Sequence, residues 1–187
     1  MNTLLINACV REDSRTRRLA EDVLRRLGGT VTEVELEREQ IPPLFRETLA
    51  ARSEKAERGA FGDPVFRYAR QFAQADVLLF AAPYWDLSFP ACLKAYLEAI
   101  NVAGITFRYS EQGIPESLCR ASRMIYVTTA GGYILSDEPG YGYVKLLCET
   151  FYGVRDALCV KAEGLDLVGA DPEAILCGRA AALDRLL

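Results

Sequence analysis

The sequence contains no histidine. This absence excludes Ser-His-Asp and Cys-His catalysis, histidine-ligated zinc and haem sites, and proton transfer by imidazole. Any catalysis therefore depends on backbone groups, hydroxyls, thiols, carboxylates, arginine, lysine or a bound cofactor. Basic residues are not in excess either. The sequence has 22 lysines and arginines and 26 aspartates and glutamates, which gives a net charge of -4. We therefore expect no nucleic-acid partner.

Long hydrophobic runs and targeting signals are also missing. No stretch reaches the roughly 18 apolar residues that a membrane-spanning helix requires. The first residues show neither the basic region nor the apolar region of a signal peptide. The six cysteines form no CxxC pair, and most lie in apolar runs, as reduced thiols do. We expect a cytoplasmic protein with reduced cysteines, no membrane partner and no bound metal.

Half of the 187 residues are hydrophobic, and no linker or internal repeat divides the chain, so we expect one domain over residues 1–187. Short apolar runs alternate with amphipathic segments that carry capping residues at their ends. This pattern predicts strands at 3–9, 30–36, 77–82, 124–129 and 157–162, and helices at 14–27, 64–74, 90–101, 143–152 and 171–187. Residues 37–63 are predicted as an irregular connection with a helical piece near 46–58.

The alternation of strands and helices predicts an α/β fold in which a parallel sheet has helices on both faces. Five strands in a chain of this length fit the flavodoxin-like order 2-1-3-4-5. In such sheets a ligand binds beyond the carboxyl ends of the strands, where the strand order reverses. The turns after the first, third and fourth strands are therefore the expected site.

The turn after the first strand favours a phosphate group. Residues 9–17 combine hydroxyl side chains with the free N–H groups of a helix N-terminus, and Arg11 and Arg15 add charge. Neither GxGxxG nor GxxxxGK[ST] occurs, so a monophosphate is favoured over a pyrophosphate. An ordinary capped helix with solvated arginines is the alternative interpretation.

The other two turns favour a planar ring. Residues 83–90 hold three aromatic side chains, among them Trp85, the single tryptophan, and two prolines that stiffen the loop. Residues 128–133 contain the adjacent glycines Gly131 and Gly132, which let the backbone approach a ligand closely. A loop packed on the core and a plain tight turn are the respective alternatives.

These segments resemble the FMN-dependent NAD(P)H oxidoreductases of flavodoxin-like fold, the NAD(P)H:quinone reductase and azoreductase group. Residues 82–94 (APYWDLSFPACLK) resemble that family's proline–aromatic loop followed by PAxLK. Residues 104–109 (GITFRY) resemble its G-x-[TA]-F-x-Y segment, and residues 128–133 resemble its glycine turn. The resemblance spans residues 3 to about 165, and PAxLK followed by GxTFxY is its specific part.

The resemblance implies a homodimeric enzyme that passes hydride from NAD(P)H through N5 of bound FMN to a quinone, azo or nitroaromatic acceptor. It implies phosphate contacts from Arg11, Ser14, Arg15 and Thr16. It implies that the isoalloxazine ring of FMN contacts Pro83, Tyr84, Trp85, Asp86 and Leu87. The site around the ring is then closed by Thr129, Ala130, Gly131, Gly132 and Tyr133. The candidates for supplying a proton or shaping the acceptor pocket are Tyr84, Tyr133 and Tyr109.

Two residues depart from the family pattern. Cys9 stands where a serine is common in the azoreductase branch, and Asp86 stands where asparagine is frequent. Because a carboxylate only accepts hydrogen bonds, we expect Asp86 to accept one from N3–H of the ring. The nearby helix N-terminus and arginines would lower the pKa of the Cys9 thiol, but a buried structural thiol is the favoured interpretation.

Three other classes compete with the enzyme. A non-enzymatic flavodoxin-like electron carrier would need a glycine-rich phosphate loop and a strongly acidic face, neither of which the sequence shows. A flavin-binding sensor or interaction protein keeps the same fold and ligand. A phosphoacceptor receiver domain has the same strand order, but no conventional lysine turn follows the fourth strand.

Overall fold

A computed structural model describes the whole chain, residues 1–187. Its strands are β1 (Asn2–Asn7), β2 (Thr30–Glu35), β3 (Val77–Ala81), β4 (Phe107–Tyr109), β5 (Pro115–Ser117), β6 (Arg123–Thr129) and β7 (Asp156–Ala162). Five of them form a parallel sheet in the order β2-β1-β3-β6-β7. Because β6 and β7 are the fourth and fifth strands of this sheet along the chain, the predicted order 2-1-3-4-5 is confirmed.

Seven α-helices accompany the strands, namely α1 (Arg15–Leu27), α2 (Leu36–Glu39), α3 (Arg46–Glu57), α4 (Arg67–Ala73), α5 (Ala91–Ile100), α6 (Tyr143–Phe151) and α7 (Pro172–Ala182). Two 3₁₀ turns cover Pro64–Phe66 and Leu183–Arg185, and a π-helical segment, Glu138–Gly142, precedes α6. None of the helices combines the length and the apolar character that crossing a membrane requires.

The central strands are buried on both faces because their side chains are apolar at nearly every position. On one face of β1, Leu4 and Ile6 belong to a core with side chains of α4, α5 and α6. On the other face, Leu5 belongs to a core with side chains of α1 and α7. All five residues of β3 are buried. The helices therefore cover both sides of the sheet, as the continuous apolar runs predict.

Capping side chains determine where the two helices nearest the carboxyl edge begin. Ser14 Oγ accepts a hydrogen bond from the Arg17 N–H at 3.3 Å and starts α1. Asp171 Oδ1 accepts from the N–H groups of Glu173 and Ala174 at 3.0 and 3.1 Å and starts α7. Both helix starts are those that the sequence predicts, since Ser and Asp are favoured N-cap residues.

Some elements are not indicated by the sequence pattern. β4 and β5 pair as an antiparallel hairpin, and strands of three residues are too short to show an alternating pattern. α2 is a single turn within the segment predicted as irregular. The first strand ends at Asn7 instead of Cys9, and the last helix ends at Ala182, where a 3₁₀ turn replaces the predicted continuation to residue 187.

Leu79→Ala tests the packing of the central strand. Leu79 of β3 is fully buried, so we expect the cavity left by its side chain to lower the free energy of unfolding by about 2–5 kcal/mol, measured by urea denaturation. Val168→Ala is the control, because Val168 is fully exposed and should change the free energy by less than about 0.5 kcal/mol. Equal stability of the two variants would contradict the arrangement of the sheet.

Candidate functional site

Hydrogen bonds continue between the central strands beyond their ends. The Ala8 N–H donates to Ala81 O at 2.8 Å, and the Tyr84 N–H donates to Thr129 O at 3.0 Å. The loops after β1, β3 and β6 therefore begin side by side at the carboxyl edge of the sheet. They border a cleft of about 540 Å³, which lies within the range of about 300–1,000 Å³ for small-molecule sites.

Residues from all three predicted turns line the cleft. Nine of the predicted site residues do so, namely Arg11, Ser14, Arg15, Thr16, Pro83, Tyr84, Trp85, Thr129 and Gly131. Five predicted residues lie outside the lining, namely Asp86, Leu87, Ala130, Gly132 and Tyr133. Of the remaining lining residues, Val10 and Asp13 lie within the predicted turn at residues 9–17, whereas the sequence did not indicate Arg18, Asp166, Pro172 and Glu173.

The N-terminus of α1 forms the polar end of the cleft. The N–H groups of Arg15 and Thr16 lie in the first turn of the helix, where they have no carbonyl partner within it. The buried Thr16 hydroxyl lies 2.6 Å from the Thr129 hydroxyl and joins the first turn of α1 to the last residue of β6. One of these hydroxyls donates to the other, and the accepting one keeps its own proton for a ligand. Such a group of donors suits a phosphate.

Pro83, Tyr84 and Trp85 form the flat wall of the cleft. The backbone of Tyr84 is bonded to the end of β6, so the wall is tied to the sheet. The Ser88 side chain donates to Pro139 O at 2.5 Å and holds the end of the same loop against the segment that precedes α6. A proline followed by two aromatic rings provides a flat apolar surface for a planar ligand.

The predicted ring contacts Asp86 and Leu87 lie at the exposed tip of this loop. Trp85 and Ser88 exchange backbone hydrogen bonds of 3.2 and 2.7 Å around them. Asp86 and Leu87 consequently have φ angles of 48° and 67°, the left-handed conformation required of both central residues in such a two-residue turn. This turn is the reason that neither residue belongs to the cleft wall.

The glycine turn after β6 is paired with the turn after β7. The Asp166 N–H donates to Gly131 O at 2.8 Å, and the Gly164 N–H donates to Gly132 O at 2.8 Å. A Cβ atom on Gly131 would collide with the Asp166 carboxylate. The close approach to Gly131 that was expected of a ligand is thus made by the Asp166 side chain. Gly132 and Tyr133 are exposed.

Two ion pairs that the sequence did not indicate cross the cleft. Arg15 Nη1 and Nη2 donate to the two oxygens of Asp166 at 2.8 and 3.2 Å. Arg18 Nη1 and Nη2 donate to the two oxygens of Glu173 at 2.8 and 2.6 Å. The Arg15 guanidinium holds the pKa of Asp166 below its usual value. The signal that points to these acids is topological, because β7 neighbours β6 and the loop after it opens at the same edge.

Cys9 is a buried thiol. Burial raises the pKa of its thiol to about 11, and Sγ donates to Ala81 O at 3.6 Å. A thiol pKa lowered by neighbouring arginines is therefore wrong for this residue, and the structural interpretation holds. Of the three candidate tyrosines, Tyr84 lines the cleft, whereas Tyr133 and Tyr109 do not.

The cleft thus combines hydroxyls and helix N–H groups with an aromatic wall. Asp166 and Glu173 are engaged with arginines and are not free to act as bases. The arrangement suits an elongated ligand that carries both a phosphate and a planar ring. Redox chemistry on such a ring needs no histidine.

Comparisons with known proteins identify the family of the chain. The family model described as flavodoxin-like fold matches residues 1–186. The FMN-dependent NADH:quinone oxidoreductase of Coprothermobacter proteolyticus is 33% identical over 170 residues, which cover 87% of this chain and 85% of that protein. The FMN-dependent NADH:quinone oxidoreductase 2 of Clostridium acetobutylicum is 43% identical over 117 residues, which cover 60% of this chain and 58% of that protein.

Solved structures have the same architecture. The azoreductase from Bacillus anthracis str. Sterne has a TM-score of 0.83 at 25% identity and covers 100% of this chain and 98% of its own. The FMN-dependent NADH-azoreductase from Bacillus anthracis str. Ames Ancestor in complex with FMN has a TM-score of 0.81 at 23% identity, over 99% and 96% of the two chains, and shows the fold alone. By its family match and its curated relatives, the chain belongs to the flavodoxin-like fold family that includes the FMN-dependent NADH:quinone oxidoreductases.

Proposed function

We propose that this chain binds FMN in the cleft and passes hydride from NAD(P)H to a quinone, azo or nitroaromatic acceptor. Membership of the family makes it an FMN-dependent oxidoreductase of the NADH:quinone oxidoreductase and azoreductase group. The observation that carries the proposal is the cleft itself, which is lined by both a helix N-terminus and an aromatic wall. We further infer that residues 1–187 act as one domain in the cytoplasm.

The residues of the cleft fit FMN. The free N–H groups of Arg15 and Thr16 and the hydroxyls of Ser14 and Thr16 would hold the phosphate. Arg11 lines the same end and forms no ion pair within the chain, so its guanidinium is available to an anion. Trp85 and its neighbours would hold the ring.

FMN, when bound, supplies the hydride transfer that the side chains of this protein cannot perform. The protein's contribution is to bind, orient and stabilise. The Gly131 N–H donates to no group of the chain and is available to negative charge on a bound ligand. Tyr84 is the tyrosine on the cleft wall, so we propose that it shapes the acceptor pocket or supplies a proton there.

Purified protein loaded with FMN tests this function. We expect a yellow protein whose flavin absorbance is bleached by NADH or NADPH under anaerobic conditions and restored by a quinone. Turnover should fall in the range of about 1–10³ s⁻¹ that enzymes commonly show. Comparing the two donors, and then quinone, azo and nitroaromatic acceptors, identifies the substrates.

Two results would contradict the proposal in different ways. A colourless protein that does not bind added FMN would exclude every flavin-based function. A yellow protein that neither donor bleaches would be an electron carrier or a flavin-binding sensor instead of an enzyme.

Asp86→Asn tests the proposed hydrogen bond from ring N3–H to Asp86, which requires the ring to extend past Trp85 to the tip of the loop, because Asp86 lies outside the cleft lining. Asparagine adopts the left-handed φ of this position as readily as aspartate, so the turn is preserved. We expect FMN affinity to fall about threefold, because the asparagine amide oxygen still accepts a hydrogen bond and only the added strength of a charged acceptor, about 0.7 kcal/mol, is lost. Quenching of flavin fluorescence measures the dissociation constant, and an unchanged value would rule out this role for Asp86.

We also propose a homodimer in which a second copy covers the open side of the cleft. Leu87 and Tyr133 are exposed on the loops after β3 and β6, and Leu135 is 81% exposed just beyond them. Leu146 is exposed on α6, which follows the same segment. Exposed apolar side chains on the loops beside a site are typical of an interaction surface.

Leu135→Asp tests the dimer. We expect the wild-type chain to have the mass of a dimer in size-exclusion chromatography with light scattering, and Leu135→Asp to have the mass of a monomer. Burying an unpaired charge in an interface costs several kcal/mol, enough to shift association by more than about a hundredfold. Leu186→Asp is the control, because Leu186 is partly exposed next to the start of β6, at the opposite edge of the sheet. A wild-type monomer would refute the dimer.

A further inference from the structure

The guanidinium of Arg15, the first residue of α1, already has an anionic partner. Both Nη atoms of Arg15 are hydrogen-bonded to Asp166, at 2.8 and 3.2 Å. A bidentate pair of this kind uses the same donor geometry that an arginine presents to a phosphate. The Asp166 carboxylate thus holds donors that a bound phosphate would need.

The position of Asp166 is imposed by the backbone on either side of it. Its N–H donates to Gly131 O at 2.8 Å, and the Leu165 N–H donates to Ala130 O at 3.2 Å. The side chain lies so close to Gly131 that a Cβ atom there would collide with it. Because these contacts anchor the turn to the end of β6, the Asp166 carboxylate is held at the cleft.

The charges that line the cleft cancel. The arginines are Arg11, Arg15 and Arg18, and the acids are Asp13, Asp166 and Glu173, which gives three charges of each sign. Arg15 and Arg18 are paired with acids across the cleft, and only Arg11 is unpaired among the three arginines. An anion entering this cleft therefore meets no net positive charge from side chains.

We propose that Asp166 is an internal competitor for the phosphate subsite and sets how strongly the cleft discriminates between phosphorylated and unphosphorylated flavin. This inference rests on the proposed function, since FMN is the phosphorylated ligand. A phosphate that binds at α1 displaces the Asp166 carboxylate from Arg15 and is repelled by it. The hydroxyls, the helix N–H groups and Arg11 then supply most of the phosphate affinity, and the contribution of Arg15 is reduced by its competing partner.

Asp166→Asn separates this role from a structural one. The amide has the shape of the carboxylate but not its charge, and Asp166 is exposed enough for the change to be tolerated by the fold. We expect the dissociation constant of FMN to fall about five- to tenfold, because one like charge beside a phosphate is removed. The dissociation constant of riboflavin, which has no phosphate, should stay within about twofold. Both are measured by quenching of flavin fluorescence.

Asp184→Asn is the matched control. It removes the ion pair between Asp184 and Arg26, which lies outside the cleft lining. We expect it to change neither dissociation constant, so any general effect of losing a surface carboxylate on this chain is measured separately from the effect at the cleft.

Three outcomes would overturn the proposal. Weaker FMN binding in Asp166→Asn would mean that the carboxylate orients Arg15 toward the phosphate. Equal tightening of FMN and riboflavin would mean that the change acts on the ring and not on the phosphate. An unchanged FMN dissociation constant would mean that the carboxylate has no influence on the subsite.

Inorganic phosphate provides a readout that is independent of flavin. Phosphorus NMR line broadening measures its binding to wild type and variant, and we expect Asp166→Asn to bind it about fivefold more tightly. Equal binding of phosphate by the two proteins would overturn the proposal even if neither bound FMN. Failure of wild type to bind FMN, with tighter phosphate binding by the variant, would refute the proposed function alone.

Discussion

Backbone hydrogen bonds continue between β1, β3 and β6 after the strands have ended, and they hold three loops at one edge of the sheet. The bonds from Ala8 to Ala81 and from Tyr84 to Thr129 are the clearest examples. Because the strands are parallel, their carboxyl ends cannot separate without breaking this ladder. The cleft, the aromatic wall and the start of α1 all take their positions from it. The buried Thr16–Thr129 hydroxyl pair then joins the start of α1 to the end of β6.

The chemistry of the cleft follows from what its side chains are unable to do. Without histidine, and with Asp166 and Glu173 paired to arginines, the candidate proton-transfer groups left in the cleft are Tyr84 and Asp13, which forms no ion pair. The cleft has instead donors for a phosphate and a flat surface for a ring. Those features bind and orient a cofactor that brings its own reactivity, which is the division of labour common to flavin enzymes.

Most of the fold could be predicted from the sequence because buried parallel strands appear as continuous apolar runs. The run at residues 77–81 is β3, and the caps Ser14 and Asp171 start α1 and α7. The β4–β5 hairpin could not be predicted, since strands of three residues carry too little pattern. The part of the site that is formed by the local sequence of individual turns was also predicted. The strand-end rule indicates the turns after β1, β3 and β6, and these do line the cleft.

What the sequence could not predict depends on contacts between distant segments. Arg15 is 151 positions away from Asp166, so nothing in the local pattern reveals that its guanidinium already has a partner. The collision that a side chain on Gly131 would cause also involves Asp166 and is equally invisible in the turn itself. Asp86 and Leu87 follow the aromatic wall in sequence but lie outside the cleft lining, because backbone hydrogen bonds between Trp85 and Ser88 place them at the tip of a tight turn.

Hydrogen–deuterium exchange with and without FMN tests the central claim most directly, namely that one flavin occupies the cleft between the loops after β1, β3 and β6. The account predicts slower exchange on FMN addition in residues 10–17, 83–88 and 129–133, with β2 at the far side of the sheet unchanged. Unchanged exchange in residues 10–17, together with protection elsewhere in the chain, would contradict it.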